Sequence, residues 1–191
     1  PVVRFSEARK YAQRLVAEGV SGVIYQPLEF LADAVARNRS ITAIFDKARI
    51  PVVLTDYDFA PLPETSGYDV VGIDDFRAGM TVATHLAEAG AKKIAYACLP
   101  NDPGSSMRRY CGYKTVVEER GQRALLYEGA YDDRKSIGRF MRRYRPDAII
   151  CNFDPAAAAV QQTLKSLRLE VPDDVMLAGF SDLQTARLMN P

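Results

Sequence analysis

Histidine is almost missing from this sequence: His85 is the single example in 191 residues. That scarcity leaves a single side chain whose ordinary titration lies near neutral pH. His85 itself falls in the middle of a helical pattern, between polar and apolar positions, and reads as structural or solvated. Cysteine is scarce too. Cys98, Cys111 and Cys151 are odd in number, far apart and set among apolar residues, which fits reduced core thiols of a cytoplasmic protein and gives no zinc-ligand spacing. The glycine-rich fingerprints of dinucleotide and phosphate loops are absent, as is the G-x-S-x-G elbow of a nucleophilic serine. No metal, no cofactor and no enzymatic activity are expected. No run of eighteen apolar residues exists to span a bilayer, and the opening PVVRFSEARKYAQ is not a signal peptide. Charge of one sign is lacking as well. Lys+Arg 25 against Asp+Glu 24 leaves a net charge of +1, so there is no electrostatic footprint for nucleic acid or a membrane surface. Any DNA contact is expected to lie outside this segment.

What is present is an alternation. Short, nearly unbroken apolar runs occur at 22–25, 51–55, 69–73, 93–98, 124–127, 147–151 and 175–180, the pattern of strands buried on both faces of a parallel sheet. Helical periodicity falls between them at about 6–18, 34–48, 76–89, 107–120, 133–144 and 156–167. Strand and helix in strict alternation predict an α/β, doubly wound fold. The length suits one good-sized domain or two small lobes. The loop YDFAPLPETSGYD (57–69) reads as a surface excursion, followed in prominence by DPGSS (102–106). Gly112 sits inside a predicted helix and suggests close approach of a neighbouring backbone.

Ligands of doubly wound sheets sit at the carboxyl ends of the strands, so the residues that follow each strand are the ones to read for function. These are Asp56 and Tyr57, then Ser105 and Arg109, then Asn152, Phe153 and Asp154, then Ser181 and Asp182. Carboxylates accept from hydroxyls, arginine donates two bonds in a fixed fork, and an aromatic ring covers C–H surface. The set suits a neutral polyhydroxylated ligand. Taken singly, an Asp after a strand is most simply a helix N-cap. This applies to Asp75 and to Asp154, the latter with Pro155 at the first helical position. The run RRYR (142–145), with Arg134, Lys135 and Arg139, reads as a solvated helix face.

The order of segments resembles the effector-binding core of LacI/GalR-family transcriptional regulators, itself similar to type I periplasmic sugar-binding proteins. AEGVSGVIYQP (17–27), IPVVLTD (50–56), VGIDDFRAGMTVATHLAEAGAKKIAY (71–96), SSMRRYCGYKTVVEERG (105–121) and the segment from Cys151 to Pro191 carry the resemblance. It implies two doubly wound Rossmann-like lobes with parallel sheets. Residues 1–74 with a return segment 184–191 would form an incomplete N-terminal subdomain, and 75–183 the C-terminal one. It implies a homodimer whose lobes close on a small sugar-like effector in an inter-lobe cleft. Operator DNA would be read only through an N-terminal helix-turn-helix headpiece that this chain lacks. Asp74 and Asp75 become hinge and cap, and the ligand contacts fall on Asp56, Tyr57, Ser105 and Arg109. Two departures stand out: Phe153 replaces the usual Asn, with Asn152 displaced beside it, and Ser181 replaces the first of two aspartates, followed by Asp182. Either Phe153 covers an apolar sugar face, or it points into the lobe core and Asn152 faces the ligand. A periplasmic solute-binding protein for sugar transport is the alternative reading.

Overall fold

The alternation of apolar strands with amphipathic helices carries over into a computed structural model, which describes residues 5–29, 31–61, 63–100, 102 and 104–189. These form two units. The first comprises the residues up to Ile73 together with Gly104 and Ser105; the second begins at Asp74 and holds the rest.

In the first unit, α1 (Phe5–Ala17), β1 (Val23–Tyr25), α2 (Ala34–Lys47), β2 (Val52–Thr55) and β3 (Asp69–Val71) follow in order. The strands make a parallel sheet in the order β1-β2-β3. Ala12 of α1, Ile41 and Phe45 of α2, Val52 and Leu54 of β2, and Tyr57 and Phe59 beyond it form the core. Asn38 of α2 is fully buried. Its amide oxygen accepts from the Leu28 N–H at 2.8 Å and its amide nitrogen donates to the Leu28 carbonyl at 3.1 Å, which ties the segment after β1 to the helix. Burial on both strand faces does not hold here. β3 is exposed at every residue, and Ile24 of β1 is 79% exposed, because β3 is an edge strand and the described core lies on one face only.

The second unit contains α3 (Asp75–Glu88), β4 (Ile94–Cys98), α4 (Gly104–Glu119, after its first two residues), β5 (Leu125–Glu128), α5 (Arg134–Tyr144), β6 (Ala148–Cys151), α6 (Asp154–Ser166), β7 (Met176–Ala178) and α7 (Gln184–Leu188). Its parallel sheet runs β5-β4-β6-β7, and here β4 and β6 are buried at every residue. Alternate side chains feed two cores. Ile94, Tyr96, Cys98 and Ile150 pack with Ala83 and Leu86 of α3 and Tyr113, Val116 and Val117 of α4. Ala95, Ala97, Ile149 and Cys151 pack with Ile137 and Phe140 of α5 and Val160 and Leu164 of α6. The sheet is thus covered on both sides. The helices α3 and α4 cross where each has a glycine: a Cβ at Gly112 would overlap the Phe76 carbonyl, and one at Gly79 the Arg109 carbonyl. The sequence assigns 184–191 to a return segment of the first lobe; in the structure α7 packs on α6 and clusters with the second unit.

Candidate functional site

The strand order β5-β4-β6-β7 means that the chain leaves β4 for one side of the sheet and then returns across it to lay β6 on the other. The carboxyl ends of β4 and β6 therefore flank a topological switch point, where the helices that follow diverge to opposite faces. Asp102, in the loop after β4, and Asn152, directly after β6, meet there. Asn152 is buried. Its amide nitrogen donates to Asp102 Oδ2, and its Oδ1 accepts from the Tyr131 hydroxyl at 2.7 Å. Asp102 Oδ2 also accepts from the Ser106 hydroxyl at 3.1 Å and the Leu99 N–H at 3.2 Å. Ser106 in turn lies 3.2 Å from the hydroxyl of fully buried Tyr96. One atom stands apart: Asp102 Oδ1 is inaccessible to solvent and has no hydrogen-bond partner among the described residues. Burial pushes the Asp102 carboxyl above the usual carboxylate range, against the pull of the Leu99, Ser106 and Asn152 donors. Burial also raises the Tyr131 hydroxyl, with the Asp102 charge adding to it.

Arg109, one turn further along α4, borders this network. Its Nε donates to Asp75 Oδ1 at 2.8 Å, its Nη1 donates to the Asn152 carbonyl at 2.7 Å, and its guanidinium carbon stands 4.6 Å from the centre of the Phe180 ring. A guanidinium has five N–H donors, so these two bonds fix its plane and leave the others with no partner among the described residues. Asp75 is 3% exposed and pairs with Arg109, and it is not the residue that caps α3. Asp74 caps α3 instead, its Oδ1 accepting from the Arg77 N–H at 2.9 Å, and it is the first residue of the second unit. The sequence pattern DD leaves the choice of cap open by one position, and the bond from the Arg77 N–H decides it for Asp74.

Asp154 is likewise no cap. Phe153 holds the N-cap position of α6 without a side-chain cap bond. Buried Asp154 reaches across to accept from the Leu183 N–H at 2.7 Å, while its own N–H donates to the Phe180 carbonyl at 3.2 Å. This clamp fixes the loop after β7. The half-buried Phe153 ring packs against the α5/α6 core and meets the Tyr131 ring edge-on, centres 6.3 Å apart. Ser181 and Asp182 are exposed, with φ of 94° and 47°, and the Asp182 carboxylate accepts from Arg187 at 3.2 Å.

The remaining sequence-identified residues belong to the first unit. Asp56, at the end of β2, takes φ 67° and accepts from Gln26 at 2.8 Å; the adjoining Gly72 leaves no room for a Cβ against the Asp56 carbonyl. Tyr57 is a core residue, 5% exposed, its hydroxyl donating to the Leu28 carbonyl at 3.2 Å. Ser105 is half-buried at the start of α4. Asp58 nails down the following loop by accepting from the Ala60 and Ser66 amides, both at 2.8 Å.

Asp102, Ser106, Tyr131 and Phe180 are missed by the strand-end reading. Asp102 lies four residues beyond the end of β4 and Tyr131 three beyond β5, and only the DPGSS composition hinted at the former. Among the described residues, no cluster of three or more His, Cys, Asp or Glu side chains is placed to hold a metal ion, and no helix is long and apolar enough to cross a membrane.

Comparison with known proteins bears on this geometry. Residues 83–191 match the family described as periplasmic binding protein-like domain. The HTH-type transcriptional regulator DegA of Bacillus subtilis is 28% identical over 192 aligned residues, covering 95% of this chain and 53% of the relative. The ribose operon repressor of Halalkalibacterium halodurans is 26% identical, covering 96% and 52%. The solved complex of the transcriptional regulator CelR with cellobiose superposes with a TM-score of 0.74 at 22% identity, over 95% of this chain and 55% of that one. This chain spans about half the length of the curated relatives it matches. A doubly wound unit with its polar network at the switch point and a family match over more than half of the sequence converge: the chain belongs to the periplasmic binding protein-like domain family.

Proposed function

We propose that the chain binds a small sugar-like effector at the strand ends of its second unit, and that this binding controls a cytoplasmic, homodimeric repressor whose DNA-reading headpiece lies outside this sequence. The observation that carries the reading is the buried Asp102–Asn152–Tyr131–Ser106 network beside Arg109. It supplies a fixed guanidinium fork with donors, and one buried carboxylate oxygen, that have no partner among the described residues. A buried acceptor of that kind is ordinarily satisfied by a donor from water or ligand, and a sugar hydroxyl is such a donor. The Phe180 and Phe153 rings beside the polar groups supply apolar surface for C–H faces. The Ser106 hydroxyl that donates to Asp102 is buried and also lies against the Tyr96 hydroxyl, an arrangement that suits holding a ligand more than attacking one. The relatives support the sugar class, one being named as a ribose operon repressor and one solved with cellobiose. The buried free thiols support a reducing compartment: burial pushes Cys98 up to about 12 and raises Cys151 as well, leaving both as inert core residues.

An effector shifts a regulator only through its differential affinity for two states. The test is calorimetric titration with a panel of pentoses, hexoses and their disaccharides. At least one is expected to bind saturably, and Asp102→Asn, which replaces the open acceptor with an amide, should weaken it by about tenfold, the worth of one hydrogen bond. If no sugar binds, or if the sugar that binds is indifferent to Asp102→Asn and Arg109→Lys, the assignment fails.

A further inference from the structure

The opposite ends of the second unit's strands carry a different kind of hollow. At the amino ends of β6 and β7, a depression of about 530 Å³ is lined by Met141, Leu167, Leu169 and Val175 together with Arg142 and Arg145. From Asp147, which lines it, to Asn152 in the polar network is five residues of strand, roughly 16 Å at 3.3 Å per residue. The two sites share no residue. Its volume lies within the range of small-molecule pockets.

The charges in this hollow are unevenly satisfied. Asp147 accepts from the Lys92 and Lys93 amides, at 2.9 and 2.8 Å, and Asp174 accepts from the Glu170 amide at 2.9 Å. Both acids are thereby committed to holding loops. Arg142 and Arg145 have neither ion pair nor hydrogen bond from their guanidinium groups among the described residues. Gly138 lies against Arg142 and Leu167. A Cβ there would stand 3.3 Å from both Arg142 Nη1 and Leu167 Cδ2, so the bare backbone lets guanidinium and apolar side chain draw together over one turn of α5. A glycine inside a helix sacrifices propensity, and no turn or positive φ at Gly138 calls for it. Arg145, with φ 47°, ends the helix and lines the same hollow.

We infer that this depression is a second ligand site, for a small organic carboxylate with an apolar body: the carboxylate pairs with Arg142 and Arg145, and the body lies on Met141, Leu167, Leu169 and Val175. The competing account is that the arginines only complement the carbonyl end of the α5 dipole. Phenylacetate is the probe that separates them, with 2-phenylethanol as its uncharged counterpart and inorganic phosphate as an anion without a body, each followed by methyl NMR of the chain. Saturable shifts at Met141, Leu167, Leu169 and Val175 with phenylacetate are expected. They should weaken about tenfold in the Arg142→Gln, Arg145→Gln double variant, whose altered side chains are solvent-exposed, through loss of charge-assisted bonds. Asp102→Asn, at the opposite strand ends, should leave them unchanged. An absence of saturable shifts, equal binding by the double variant, or equal binding of 2-phenylethanol or phosphate would each overturn the site.

Discussion

Replacing Arg109 with alanine bears directly on what this residue is for. A side chain reserved for ligand would be removable without cost to the fold, but here the Arg109 side chain is only 13% exposed and the Asp75 side chain is buried. Removing it deletes the Asp75 ion pair at 2.8 Å, the bond to the Asn152 carbonyl at 2.7 Å and the contact with the Phe180 ring. Breaking a buried pair from one side typically costs about 3–5 kcal/mol, because the remaining charge keeps its burial and loses its compensation. Asp75 lies in the first turn of α3, where the positive end of the helix dipole offsets part of this. About 3 kcal/mol is therefore expected. For a chain of this length, each kcal/mol moves the melting temperature by about 2–4 °C, so Arg109→Ala should melt about 6–12 °C below the parent. Urea denaturation should give a lower midpoint with an unchanged slope. In a double-mutant cycle, adding Asp75→Asn should cost less in the Arg109→Ala background than in the parent, by about 1 kcal/mol or more. A variant that melts with the parent, or a cycle that adds up within error, would refute the view that Arg109 is a structural element that also presents donors.

Gly112→Leu should fail to fold or should melt far below the parent, because any side chain there meets the Phe76 carbonyl, and circular dichroism of the purified protein decides it. Tyr113→Phe removes a fully buried hydroxyl that donates to the Ile94 carbonyl at 2.8 Å and accepts from the Leu125 amide at 2.8 Å. It thereby unties α4 from both β4 and β5, and should cost about 1–3 kcal/mol in urea titrations. Asp102 gives a pH signature. Its carboxyl holds a proton more tightly in the folded chain than in the unfolded one, so stability should fall as pH rises from the ordinary carboxylate value through the raised folded one. Asp102→Asn should flatten that part of the melting-temperature profile, and an unchanged profile would show that another group is responsible.

The seven strands and the first six helices were legible in the sequence because apolar period and length agree at each of them. The short helix α7 was not: five residues, QTARL, carry too little periodicity to register. The expectation of strands buried on both faces succeeded for β4 and β6 and failed for β3, since an edge strand and a central strand of the same apolar composition look alike until the neighbours are known. Strand-end chemistry singled out Arg109 and Asn152, which the structure places side by side. It could not reveal that Arg109 is tied to Asp75, a contact spanning 34 residues, nor that Asp102 completes the cluster, because side-chain bonds between loops leave no periodic trace. The two aspartates expected as caps show the same limit. Local pattern supplies a candidate for the nearest helix end, whereas Asp75 and Asp154 are spent on partners distant in sequence.

The Asp154 clamp has a consequence for local unfolding. The loop after β7 is fastened to the start of α6 by two bonds, and Phe180 within it lies against Arg109, which holds both Asp75 and the Asn152 carbonyl. Elements from both faces of the sheet are joined at one edge by a continuous chain of contacts, so none of them can fray alone. The amides of Asn152, Asp154 and Leu183 are therefore expected to open as a single cooperative unit, with like protection against solvent exchange in hydrogen-exchange measurements.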